Sequence, residues 1–96
     1  MVQSTANVKT EHASKYLQQL CKHWSHKMET EFNPEKGKVV FPSGAVTTLA
    51  ASPAELHLNI DADSGETLDR LEQVVADHIK RFAFREELEF VWNRGA

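Results

Sequence analysis

Residues 55–61 alternate without interruption between polar and apolar side chains. In a β-strand, Leu56, Leu58 and Ile60 would all lie on one face, with polar residues on the other. Such a strand is typical of an antiparallel sheet with one covered face and one polar face. The fold must therefore supply a layer that covers one side of a sheet.

Residues 10–25 contain the first of two predicted helices that can form this layer. This helix begins at Thr10 or Glu11 and ends at Trp24 or Ser25. Thr10 is a suitable N-cap, because its hydroxyl can accept a hydrogen bond from a backbone N–H of the first turn. The apolar residues recur at three- and four-residue spacing. They are Ala13, Leu17, Leu20, Cys21, Trp24 and Met28.

The second predicted helix follows residues 63–66, Asp-Ser-Gly-Glu, which form a variant of the capping box. Its apolar stripe consists of Leu68, Leu71, Val75, Ile79 and Phe82. Asp69 lies near its start, whereas Lys80, Arg81 and Arg85 lie near its end. This charge distribution suits the helix dipole at both ends.

Turn residues separate the remaining strands, which are predicted at 3–9, 27–32, 38–41, 45–51 and 88–93. The turns contain Asn33, Pro34, Gly37, Pro42, Gly44 and Pro53. Because short links favour antiparallel neighbours, residues 27–61 are predicted to form a meander. The polar face of the sheet would carry Glu29, Glu31, Lys38, Thr47, His57, Asn59 and Glu89.

Residues 1–96 are thus predicted to form a single α+β domain in the order β-α-β-β-β-β-α-β. Two helices would pack on one face of a mostly antiparallel, curved sheet. The other face would meet water or a partner.

Composition restricts the class of protein. The chain has 96 residues, a single cysteine and a formal net charge of −3. No apolar stretch approaches the length of a membrane span, so no membrane association is expected. The lone Cys21 and the lack of a visible secretory signal favour a reducing, cytoplasmic environment. Without a basic surplus, nucleic acid is not an expected partner.

Five histidines and Cys21 raise the question of a metal site. On a continuous helix, Cys21 and His23 lie about 200° apart and cannot share an ion. His23 and His26 could share one, but two ligands do not form a structural zinc site. Glu86 and its acidic neighbour are interpreted as a solvated turn. The sequence therefore predicts no metal, no cofactor and no catalytic set.

His78 lies on the apolar face of the second helix. A histidine in this position is most often a core residue that is hydrogen-bonded through one ring nitrogen. The functional alternative is an imidazole that faces a ligand where the sheet meets the helix.

Positive charge gathers at the ends of both predicted helices. If the helices run parallel, these ends converge into a basic corner lined by Trp24, Phe82 and Phe84, which could hold an anionic ligand. If they run antiparallel, no such corner forms, and the cations only stabilise the C-terminal ends of their helices through the helix dipoles. The candidate ligand-binding residues are Lys22, His23, His26, His78, Arg81 and Arg85.

Three stretches carry a family resemblance: YLQQLCKHWSHK at 16–27, FPSG at 41–44 and VVADHIKRFAFRE at 74–86. They resemble domain-of-unknown-function family 2218, a small uncharacterised bacterial domain, and the resemblance covers nearly the whole chain. The family brings no established activity and no catalytic residue. It implies a context, because its members tend to occur beside, or joined to, siderophore-interacting flavin reductases of iron uptake.

We therefore expect a small binding or interaction module, with an anionic small molecule of bacterial iron or siderophore metabolism, or a siderophore-related protein, as its partner. One alternative is an accessory enzyme or metal-handling domain that uses His23, His26, His78 or Cys21. Another is a structural domain that dimerises through its sheet.

Overall fold

The computed structural model describes residues 2–83 and 85–95, which form two helices and a six-stranded antiparallel sheet. The elements are β1 (Val2–Lys9), α1 (Ala13–Trp24), β2 (Glu29–Phe32), β3 (Lys36–Val40), β4 (Val46–Ala51), β5 (Glu55–Ala62), α2 (Gly65–Phe82) and β6 (Asn93–Gly95). The strand order is β2-β3-β4-β5-β1-β6. The predicted element order, the meander and the packing of both helices on one face are confirmed.

The core lies between the helices and the apolar face of the sheet. Leu56, Leu58 and Ile60 are fully buried, as their alternation predicts. The helices cover them with side chains from their apolar stripes. These are Leu17, Leu20, Cys21 and Trp24 from α1 and Leu68, Leu71, Val75 and Ile79 from α2.

Local sequence determines where each helix begins. Ser64 is the N-cap of α2, and its hydroxyl accepts a hydrogen bond from the Thr67 N–H at 3.3 Å. Helix α1 begins later than predicted, with His12 at its N-cap position. The Thr10 hydroxyl still accepts a hydrogen bond from the His12 N–H, at 3.1 Å, so it closes the turn that precedes the helix.

Thr47 was predicted on the polar face, but it is fully buried beneath the helices. The register explains the difference, because Thr47 pairs with Ile60 and Leu49 with Leu58. Residues paired across neighbouring strands share a face of the sheet. Ile60 faces the core, so its partner Thr47 faces the core as well. Its hydroxyl oxygen has no hydrogen-bond partner among the described residues.

The last strand is shorter and later than the predicted 88–93. Residues 87–92 are irregular, and only 93–95 pair with β1. Leu88, Phe90 and Trp92 are partly buried against the core. The alternation of apolar and polar residues therefore reflects the packing of one side of an irregular segment, not pairing in the sheet. Glu89, predicted on the polar sheet face, accordingly lies in this segment outside the sheet.

The two helices run in opposite directions. Strand β1 pairs antiparallel with β5, and each strand leads into one of the helices. Near the start of α1, Tyr16 bonds to Glu86, which follows α2. Near the end of α1, the His23 ring contacts His78, within α2. The later residue of α1 thus contacts the earlier residue of the two partners, so the helices are antiparallel.

Gly37 was predicted to lie in a turn, but it is a buried residue of β3 beneath α1. A Cβ at this position would lie 2.7 Å from the Cys21 Sγ and 3.3 Å from a Leu17 methyl carbon. The sheet and α1 therefore approach as closely as they do because position 37 has no side chain.

Gly37→Ala should lower the free energy of unfolding by about 1–3 kcal/mol, because an added methyl overpacks this contact. Denaturant unfolding measures the loss. Gly65→Ala is the matched control: the nearest atom to its Cβ would be an Arg94 guanidinium nitrogen at 3.7 Å, so it should be close to neutral. The double variant with Gly37→Ala and Cys21→Ala should lose less free energy of unfolding than the sum of the losses in the two single variants. Wild-type stability in Gly37→Ala would contradict the close contact.

Candidate functional site

The basic helix ends do not converge, because the helices are antiparallel. The single corner that a parallel pair would create is absent from the described residues, and Phe84 lies outside them. His23 and His78 meet between the helices. Arg85 lies beside the start of α1 instead. Lys22 lies on the outer face of α1, and His26 and Arg81 are exposed at the ends of their helices.

The His23 and His78 rings form part of an aromatic cluster between the helices. Their centroids are 5.5 Å apart. The His78 ring also lies 5.2 Å from the Trp24 ring, and the His23 ring lies 6.1 Å from Phe82. The His78 Nδ1 is 2.7 Å from the Val74 carbonyl oxygen, one helical turn earlier. This geometry fits the interpretation of His78 as a packed histidine satisfied through one ring nitrogen.

A partly buried hydrogen-bond cluster joins the start of α1 to the segment after α2. The hydroxyls of Tyr16 and Thr10 both donate to the Glu86 carboxylate, the latter at 3.0 Å. Tyr16 and Thr10 are buried, and Glu86 is half-buried. Sequence reasoning missed this cluster, since it interpreted Glu86 as part of a solvated turn. The only available signal was a tyrosine on the buried stripe of α1, because a buried phenol requires a partner.

The cluster shifts the pKa values of both acidic groups. Burial and, next, the adjacent Glu86 carboxylate together raise the pKa of Tyr16 to about 12. The pKa of Glu86 is lowered, chiefly by the hydrogen bond from Tyr16. Burial opposes this effect, while Thr10 and the positive charges of His12 and Lys15 support it. Glu86 therefore remains a carboxylate and Tyr16 a neutral donor at neutral pH.

A depression of about 490 Å³, which we call the α1–α2 cleft, opens above this cluster. Its lining consists of His12, Lys15, Tyr16, Phe82, Ala83, Arg85 and Glu86. A shallower depression on the outer face of α1 shares Lys15 and also contains Lys22. Helix α1 contains no aspartate or glutamate. In a chain whose net charge is −3, this surface is a local concentration of positive charge.

The sheet face opposite the helices has no covering layer among the described residues. It contains a second depression of about 490 Å³, whose charged lining residues are Glu31, Lys36 and Lys38. His57 also borders it and pairs with Asn7 through its Nδ1. Both depressions carry two cations and one carboxylate, but in the α1–α2 cleft the carboxylate of Glu86 already accepts hydrogen bonds from the hydroxyls of Thr10 and Tyr16.

The described residues contain no group of three or more His, Cys, Asp or Glu side chains that could hold a metal ion. Cys21 is fully buried, and burial raises the pKa of its thiol to about 11. A thiol in this state is a small hydrophobe rather than a nucleophile. None of the described helices is both long enough and apolar enough to cross a bilayer.

The fold and the cleft define a small two-layer α+β domain with a polar depression where its helices meet. The chain belongs to the family described as uncharacterized proteins conserved in bacteria, domain of unknown function 2218, whose model matches residues 5–93. It is similar to a Pseudomonas aeruginosa protein, PA4090, solved by NMR. The two are 39% identical, cover 97% and 96% of each other's chains and superpose with a TM-score of 0.82. No curated protein matches the chain.

Tyr16 is the single tyrosine of the chain, so its ionisation can be followed by absorbance without overlap from another phenol. We expect a midpoint near pH 12 rather than the ordinary 10.0, with far-UV circular dichroism confirming the fold at each pH. Glu86→Gln should lower the midpoint, because it removes the carboxylate charge. Glu87→Gln, which alters an exposed neighbour, should leave it unchanged. A midpoint near 10 in the folded wild type would contradict the buried hydrogen bond.

The pKa shifts of Tyr16 and Glu86 determine how the stability of the protein changes with pH. Because the Tyr16 pKa is raised, its contribution is complete below pH 10.0 and is lost as pH rises through about 12. Because the Glu86 pKa is lowered, its contribution is present above the ordinary value of 4.5 and is lost as pH falls through the folded value. The difference in free energy of unfolding between the wild type and Glu86→Gln should therefore shrink as the pH falls, which acid-unfolding experiments measure.

Proposed function

We propose that this domain is a binding module for a small anionic molecule, which occupies the α1–α2 cleft. The observation that carries the proposal is the charge arrangement of the cleft. Lys15 and Arg85 line it together with His12, while both oxygens of the one carboxylate in it, Glu86, already accept hydrogen bonds from hydroxyls. The local balance is therefore positive in an acidic protein.

The donor set fits an anion that carries carboxylate, phosphate or catecholate oxygens. Charge-assisted hydrogen bonds from lysine and arginine are shorter and stronger than neutral ones. Phe82 supplies an apolar wall, and a volume of about 490 Å³ is within the usual range for small-ligand pockets. The iron-uptake context implied by the family resemblance makes a siderophore, or another anionic iron chelator, the ligand class that we favour.

The six residues singled out from the sequence enter this proposal unequally. Arg85 belongs to the cleft, and Lys22 extends its positive surface along α1 through the depression that shares Lys15. His23 lies farther along α1, next to His78 of α2, and aromatic rings surround both.

Citrate, and the diamagnetic Ga³⁺ complex of a tricatecholate siderophore, are suitable probes for two-dimensional NMR titration. At least one should shift the backbone amides of residues 12–16 and 82–86. Lys15→Glu should weaken binding by roughly tenfold to a hundredfold, because a charge-assisted hydrogen bond contributes about 1.5–3 kcal/mol. Lys15 is exposed, so the variant should fold normally.

Lys36→Glu is the matched control for this test. It makes the same change of net charge, but on the sheet, away from the cleft. An equal loss of affinity in both variants would show that only the overall charge matters and would contradict a cleft site. Saturating amounts of both probes without any localised shift would reject the proposal for this ligand class.

A further inference from the structure

We infer that His23 and His78 together form a binding site for a divalent transition-metal ion that prefers imidazole, with Zn²⁺ as the representative. The site borders the α1–α2 cleft at Phe82, but it needs neither the charged residues of the cleft nor an anion bound there. One ligand comes from each helix, so the ion would bridge α1 and α2. This pairing cannot be read from sequence spacing, which compares positions within one helix.

The hydrogen bond of His78 determines which ring nitrogen can bind the metal. Its Nδ1 lies 2.7 Å from the Val74 carbonyl oxygen. A carbonyl oxygen only accepts hydrogen bonds, so Nδ1 must carry the proton. The neutral ring then presents a lone pair at Nε2. Metal-binding histidines are typically oriented in this way, with the second ring nitrogen donating to a carbonyl or carboxylate.

The separation of the rings suits a shared ion. With metal–nitrogen bonds of about 2.0–2.1 Å, two imidazoles on one ion have ring centroids roughly 5 Å apart. The His23 and His78 centroids are 5.5 Å apart, and the rings are inclined by 50°. His23 is exposed, so its ring can turn to complete the site without disturbing the core.

The surrounding rings hold the half-buried histidine in place. His78 lies against the buried Trp24 ring at 5.2 Å. Phe82 packs against His23, with the centroids 6.1 Å apart. The restricted rotation of His78 lowers the entropy lost when a ligand binds, which favours metal binding here over a pair of unconstrained surface histidines.

Two protein ligands give an exchangeable site, not a structural one. Zinc sites that support a fold use four protein ligands, and catalytic sites use three. The described residues provide no third histidine, cysteine or carboxylate in a metal-binding group. Water would complete the coordination, so the ion would add stability when bound without being required for folding.

The test uses the untagged chain and ZnCl₂, followed through the imidazole signals by NMR. The His23 and His78 signals should shift together and saturate at one ion per chain. His23→Gln and His78→Gln should each weaken binding by at least about tenfold, the scale of effect seen when the support of a metal ligand is removed. Bound Zn²⁺ should also raise the Tm of the wild type but not that of His23→Gln.

His26→Gln is the matched control, because His26 is also exposed and follows His23 by three residues. Binding that survives His26→Gln and fails in the other two variants supports the site. Loss with His26→Gln but not with His78→Gln would place the ion at the end of α1 and overturn the proposal. If His78→Gln does not fold, His23→Gln decides, since unchanged binding in that variant also overturns it. Absence of any shift in the imidazole signals of the wild type also overturns the proposal.

Discussion

The antiparallel pairing of β1 with β5 is the constraint on which the rest of the structure depends. Eight residue pairs join the two strands, from Val2 with Ala62 to Lys9 with Glu55. Each strand is followed by a helix that returns across the same face of the sheet, so the helices must run in opposite directions. This places the start of α1 beside the residues after α2. The cleft, the Tyr16–Glu86 bond and the separation of the basic helix ends all follow from it.

Sequence periodicity predicted the elements and their faces well, because burial on one side is a local signal. Short turns also predicted the meander, but the pairing of β1 with β5 and β6 joins strands far apart in sequence and could not be predicted. Tyr16 and Glu86 are 70 residues apart and meet only because of the sheet topology. Thr47 shows a second limit, since its polarity suggests the solvent face, whereas the register with β5 buries it. Of the cleft, only Arg85 was among the candidates, and its predicted neighbours were those of a parallel helix pair.

Helix α1 is the element that both proposals share. It has one apolar face on the sheet and an outer surface free of carboxylates. The cationic cleft lies near its start, and the two-histidine site lies near its end. Neither site needs a catalytic group. Binding at either place would act on the contact between α1 and α2.

The contact between Cys21 and Gly37 has a kinetic consequence. The thiol is fully buried where α1 packs closely against Gly37 of β3. A reagent that modifies this thiol in the native protein must therefore wait until α1 separates from the sheet. The labelling rate of the single cysteine consequently reports how often that separation occurs, and so the local free energy of opening of the helix on which both sites lie.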